Sequence, residues 1–186
     1  MPLLLHTCCA PCSAAILEWM LANDIRPTLF YFNPNISPRA EYEIRKKECI
    51  RHASALGLEI IDGDYDHASW LNHIAGLEEE PERSKRCLQC FKMRLSATAR
   101  IASERGYDRF ATTLASSRWK DLRQIAEAGH WAAALYNNLT FWEKNWRKDG
   151  LSERRRELIR EHNFYNQTYC GCEFSASHNP PPNSAP

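Results

Sequence analysis

The sequence predicts an α/β protein, a single domain built on a parallel sheet with helices on both faces. Three observations lead there. Short apolar, β-branched or aromatic runs alternate with helical patterns of about ten residues or more. Each such run ends in a turn that holds reactive or polar residues, as the ligand rim of a parallel sheet would. The chain has 186 residues, enough for one real core, and nothing forces a second.

The elements follow in order. Leu3 to His6 reads as a short buried strand, and Pro11 to about Leu21 as a helix with Ile16, Leu17, Met20 and Leu21 on its inner face. Thr28 to Phe32 is β-branched and aromatic and stops at the turn-rich segment Asn33 to Pro38, which leads into a helix from about Arg39 to Leu56. Gly57 ends that helix, Leu58 to Ile61 forms a third strand, and Asp62 to Asp66 closes it. His67 to about Ile74 is a short helix. The polar stretch Gly76 to Arg86 is a loop that delivers Cys87-Leu88-Gln89-Cys90 to the start of a helix running to about Arg105. Arg109 to Leu114 is the fourth strand, Asp121 to about Ala133 the helix after it, and Leu139 to Trp142 a further strand. Lys144 to Gly150 is a basic aromatic loop, Ser152 to Glu161 a charged helix, and Tyr169 to Cys172 a compact turn. We expect one catalytic domain over 1–175 and a disordered tail over 176–186, where Ser, Asn, Ala and Pro cannot pack. Cys8, Asp64 and Ser116 each fall just past a strand, so one rim of the sheet gathers them.

Composition narrows the chemistry. Lys and Arg number 24 against 23 Asp and Glu, so a nucleic-acid partner must be met by a local basic patch. Leu3-Leu4-Leu5 is too short for a signal-peptide core and no run approaches ~18 apolar residues, so we expect a cytoplasmic protein without a membrane partner. In reducing conditions the clustered members of its eight cysteines are metal ligands or redox-active thiols before they are structural disulfides.

Seven of those cysteines cluster, and Cys49 stands alone on a helix face shared with Tyr42, Ala53 and Leu56, as a core residue does. Cys8, Cys9 and Cys12 sit at a strand-to-helix turn where Pro11 suits the first helical turn, and the helix dipole there favours thiolate. Cys9-Ala10-Pro11-Cys12 and Cys87-Leu88-Gln89-Cys90 are both C-x-x-C, which invites a four-cysteine zinc site. Cys12 and Cys87 are 75 positions apart, however, and zinc ribbons bring their pairs within ~15–20 residues. Iron–sulfur ligation uses the same thiolates and tolerates distant segments. Side chains of adjacent residues diverge in an extended chain, so Cys8 and Cys9 are expected to serve different partners, one a cluster and the other a second metal or the reaction site. Cys170-Gly171-Cys172 places two sulfurs on one side of an extended chain, as a reducible dithiol or a metal-ligand pair.

Basic groups recur beside these thiols. Lys85-Arg86, Arg118-Trp119-Lys120 and Arg147-Lys148 interleave cations with aromatics, a pattern that suits an RNA backbone with splayed, stacked bases. Arg154-Arg155-Arg156 reads as a solvated helix face.

Taken together, His6 to Ser13, Phe32-Asn33-Pro34-Asn35-Ile36, Gly63 to Asp66 with Trp70, Arg86 to Phe91 with Arg94, Thr112-Thr113-Leu114 with Ser117 and Lys120, and Tyr169 to Ser175 resemble the cobalamin-independent epoxyqueuosine reductases, the QueH family. The resemblance spans about residues 3 to 175. It implies a HUP/PP-loop-like, Rossmann-like nucleotide-binding fold. It also implies reduction of epoxyqueuosine to queuosine on a tRNA carrying a 7-deazaguanine modification at the wobble position, with electrons from an unidentified donor. It implies a [4Fe-4S] cluster held among Cys8, Cys9, Cys12, Cys87 and Cys90, and admits an adjacent mononuclear iron; in the family the third position can be aspartate, which makes Cys12 the least secure ligand. Cys170, Cys172, Cys8 and Asp64 are then the catalytic candidates, with Asp66 and Tyr169 as further proton donors. A PP-loop tRNA thiolase would need a glycine-rich phosphate loop where this chain has Cys8-Cys9-Ala10-Pro11-Cys12. A zinc-stabilised RNA-binding module would keep the basic patches without redox chemistry.

Overall fold

The computed structural model describes residues 2–176. Five parallel strands, β1 (Leu3–Thr7), β2 (Thr28–Tyr31), β3 (Ile60–Asp62), β4 (Arg109–Thr112) and β5 (Thr140–Phe141), form one sheet in the order β3-β2-β1-β4-β5. β1 is central, with Leu5 opposite Leu29 on one side and Ala111 on the other. All five of its residues are buried, which is why it reads as a continuous apolar run and not as an alternation.

Helices α1 (Ala10–Ala22), α2 (Arg39–Ala55) and α6 (Leu151–Glu161) pack together, and α4 (Lys85–Glu104) packs with α3 (His67–His73) and α5 (Leu122–Ala133). A short α7 (Glu173–Ala176) ends the described chain. The predicted α/β class with a parallel sheet therefore holds. The close approach of α5 to β5 depends on Gly129, where a Cβ would lie 2.3 Å from the Phe141 ring.

Differences from the expected boundaries have local causes. β3 starts at Ile60 because Leu58 is spent on the preceding helix end, its N–H bonding Ala53 O past Gly57, which adopts φ +62°. β4 stops at Thr112 because that hydroxyl accepts from Leu114 N–H and turns Thr113–Ser116 into a 3-10 turn. α4 begins two residues before Cys87, so both Cys87 and Cys90 are helical. The tail expected over 176–186 lies outside the described residues except for Ala176, which belongs to α7.

The order β3-β2-β1-β4-β5 reverses direction between β1 and β4, the topological switch point where such sheets bind ligands. Cys8 follows β1 and Thr113 follows β4 at that point. Cys8 N–H donates to Thr113 Oγ1 at 3.2 Å, and Thr113 Oγ1 lies 3.5 Å from Cys8 Sγ.

Candidate metal centre

Cys8 ends the extended run of β1 in a bend, and Cys9 is the extended N-cap of α1 with φ −171° and ψ 158°. No side chain caps that helix end, so its first-turn amides remain for the thiols. The bend overturns the expectation that Cys8 and Cys9 diverge, because strict alternation holds only in a continuous strand. Their Sγ atoms lie 3.9 Å apart, and the three Sγ atoms of Cys8, Cys9 and Cys12 all lie within 4.8 Å of one another. A tetrahedral ion with metal–sulfur bonds of ~2.3 Å spaces its sulfurs ~3.8 Å apart, so the trio fits one ion with a fourth position open.

All three are buried. Contacts from Cys12 and Cys9 hold the Cys8 thiol well below its usual pKa against the cost of burial, and the cations Lys120 and Arg94 add to the effect. Burial pushes the Cys9 thiol well up. Soft thiolate donors of this kind suit iron or zinc.

Beneath the trio, His6 bridges Thr112 Oγ1 at 2.9 Å and Phe32 O at 3.0 Å, and burial followed by the Arg94 charge lowers its pKa to about 3. It is a neutral structural residue. Asn33 Nδ2 donates to Thr7 O at 3.0 Å, and its Oδ1 accepts from Arg94, whose Nη1 is 4.0 Å from Cys90 Sγ.

A second group of thiols stands on the far side of Arg94. Cys90 and Cys172 pack in one small apolar cluster with Trp70 and Ile74. Burial and then Cys170 raise the Cys87 thiol to about 11, and burial, Cys170 and Cys90 raise that of Cys172. The C-terminal segment that brings Cys170 and Cys172 here is strapped down by Arg45. Arg45 donates to Cys170 O at 3.2 Å and Tyr169 O at 3.3 Å and pairs with Glu41 at 2.7 Å. Gly171, at φ +130°, lies against this arginine, where a Cβ would be 3.0 Å from Arg45 Nη1. All eight cysteines are free thiols. Cys49 is buried in the core, as its helix face predicted.

Several expected site residues have other work. Lys120 is buried, not a surface cation; burial alone would lower its pKa, but Cys170, Cys8 and Cys12 around it raise it. It belongs between the two thiol groups. Arg86 is buried and fastens the loop before α4 by donating to Glu78 O and Glu80 O. Arg147 is half-buried and clamps Ser117 O and Lys120 O. Arg118, Lys85 and Lys148 are exposed and Trp119 is half-buried beneath Arg118. Asp64 is exposed on the loop after β3, Asp66 caps α3 by accepting from Ser69 N–H, and Tyr169 donates its hydroxyl proton to Ser37 O at 2.6 Å. Burial raises the Tyr169 pKa to about 12.

The basic helix α6 splits by residue. Arg154 pairs with Glu18, Glu157 and Glu161, a solvated face as expected, whereas Arg155 donates to Pro11 O at 2.9 Å. Arg118, Arg147, Arg155 and Arg156 line a cleft of about 560 Å³ that also includes Gln167. Gln167 escaped the sequence reading altogether, yet its Nε2 is 2.8 Å from Cys9 Sγ. Arg45 was missed as a site residue too, and Asn33 and Arg94 stood among the residues that carry the family resemblance without being given a role at the site.

The model of the epoxyqueuosine reductase QueH family matches residues 3–178, nearly all of the described chain. The chain belongs to the QueH family. Its QueH relatives include epoxyqueuosine reductase QueH of Haemophilus influenzae, 47% identical over 173 residues, covering 93% of this chain and 71% of that protein. The protein of the same name from Acinetobacter baylyi is 44% identical, covering 93% and 79%, and that from Thermotoga maritima 34% identical, covering 92% and 88%. Every residue described above falls inside the QueH match. Among the described residues no helix is long and apolar enough to cross a membrane.

Proposed function

We propose that this chain reduces the epoxide of epoxyqueuosine to the alkene of queuosine at the wobble position of tRNA, releasing the oxygen as water. The observation that supports this most is the convergence of three buried thiols at the switch point of the sheet, beside an arginine-lined cleft, in a QueH chain. The reaction consumes two electrons and two protons. Cys8, Cys9 and Cys12 would hold one iron, and Cys87, Cys90, Cys170 and Cys172 have the four soft donors that a [4Fe-4S] cluster takes. Bound iron would supply the electrons singly and Lewis acidity toward the epoxide oxygen.

The chain's own residues do the rest. Arg118, Arg155 and Arg156 present charge in the cleft to the tRNA backbone, and Trp119 offers a stacking face. The buried rim excludes water from the reacting centre, and Lys120, whose proton the thiols around it hold tightly, places a fixed positive charge between the two thiol groups. Asp64, exposed on the loop after β3, keeps its place as a candidate proton donor.

The test is anaerobic protein, tRNA bearing epoxyqueuosine and a strong reductant, read by mass spectrometry of the digested nucleosides. Loss of one oxygen from the modified base is expected. Colourless protein with one zinc per chain and no turnover would instead favour a zinc-stabilised RNA-binding module. For the cleft, Arg118→Ala should weaken tRNA binding and reduce its salt slope by about one; an unchanged slope would remove Arg118 from the interface.

A further inference from the structure

Gln167 lies in the segment between α6 and Cys170, with 6% of its surface exposed. Its Nε2 is 2.8 Å from Cys9 Sγ and 4.0 Å from Cys12 Sγ, and its Oε1 is buried with no hydrogen-bond partner among the described residues. A buried carboxamide ordinarily satisfies both ends. This one turns its donor end to two sulfurs and leaves its acceptor unpaired. A neutral thiol is a weak acceptor, whereas a thiolate or a metal-bound sulfur is a strong one, so the arrangement is complementary to the charged state of Cys9. The amide is built for the metal-loaded site.

We infer that Gln167 is a positioning residue that fixes Cys9 as a ligand by an N–H···S hydrogen bond and raises the reduction potential of the iron centre Cys9 belongs to. This rests on the reading above that Cys9 holds iron. The direction follows from charge: reduction adds negative charge that spreads onto the ligand sulfurs, and a donor to one of them stabilises the reduced state more than the oxidised one. The same amide lines the arginine cleft, so the segment that contacts tRNA also contacts a ligand sulfur.

The experiment compares wild-type, Cys9→Ser, Gln167→Leu and Gln167→Glu holoenzymes, each loaded anaerobically with iron and sulfide, by iron content and by redox titration followed by electron paramagnetic resonance. The signal lost in Cys9→Ser identifies the centre. Gln167→Leu, similar in length but without a donor, should keep that centre at full iron content and move its midpoint to a more negative potential. Gln167→Glu, which sets a carboxylate against the sulfur, should move it further. An unchanged midpoint in both variants would overturn the inference, as would loss of the centre from both, which would make Gln167 a packing residue. If Cys9→Ser loses no signal, the ligand reading fails first and takes this inference with it.

Discussion

Cys8, Cys9 and Cys12 come from one strand-to-helix turn, whereas Cys87 and Cys170 are 83 positions apart and meet only because the C-terminal segment is strapped across the rim. The first group is held by the fold's most buried strand and the switch point beside it. The second depends on Arg45, Gly171 and a few backbone contacts such as Ser37 N–H to Gly171 O at 2.8 Å. Local geometry therefore builds one site and tertiary closure the other. Substitutions that spare the core should separate them.

The largest effect belongs to the thiols proposed as ligands. Cys9→Ser should lower turnover by at least about 100-fold and remove one iron, with the fold intact because the change is nearly isosteric. On the proposed assignment, Cys170→Ser should lower iron content at the second group of thiols and leave that at the trio unchanged. Iron analysis with nucleoside mass spectrometry checks both. If Cys170→Ser keeps its cluster but loses turnover, Cys170 and Cys172 act as a cycling dithiol instead of as ligands. Full turnover would remove the pair from the reaction.

Next comes the strap. Arg45→Ala leaves Glu41 buried without its cation, with the Tyr165 hydroxyl still donating to it, and two carbonyls without a donor, at a cost of roughly 3–5 kcal/mol in denaturant unfolding. In protein that remains folded, iron should be lost from the second group before the trio. Equal loss from both would show that the two groups are one unit.

How far the sequence revealed this arrangement follows the same division. The α/β class was legible because β1 and β2 are continuous apolar runs separated by helical patterns, and the trio was legible because its thiols are neighbours. The direction of Cys8 and Cys9 was not, since a single bend after Thr7 decides it. Lys120 and Arg86 looked like surface cations because their stems and charges have no sequence signature of burial. Gln167 and Arg45 act through contacts across 158 and 125 positions respectively, and no local pattern records such contacts.

A milder perturbation of the strap is available through pH. His52 on α2 packs against His162 and Phe164, where the C-terminal segment leaves α6, and its Nε2 has no hydrogen-bond partner among the described residues. Burial and then the neighbouring His162 lower its pKa from 6.5 to about 4. The folded state thus binds fewer protons than the unfolded one between these values. Its contribution is intact above pH 6.5 and is lost as pH falls toward 4. Denaturation midpoints should drop over that window in wild type and drop less in His52→Gln. An identical slope in both would move the acid sensitivity elsewhere.

The smallest effect should come from Cys49, the one cysteine outside both groups. It is buried on α2 and stands outside the trio whose sulfurs lie within 4.8 Å of one another. Cys49→Ala removes one sulfur from a packed core and should cost about 1 kcal/mol. Iron per chain and turnover should match wild type. Thr7 lies beside Cys49 and is the last residue of β1 before Cys8, so the two positions are close enough for this to be a real test. Loss of an iron from Cys49→Ala would make the first group four thiols instead of three, and the contrast between a locally built site and a tertiary one would then fail, because α2 would be part of both.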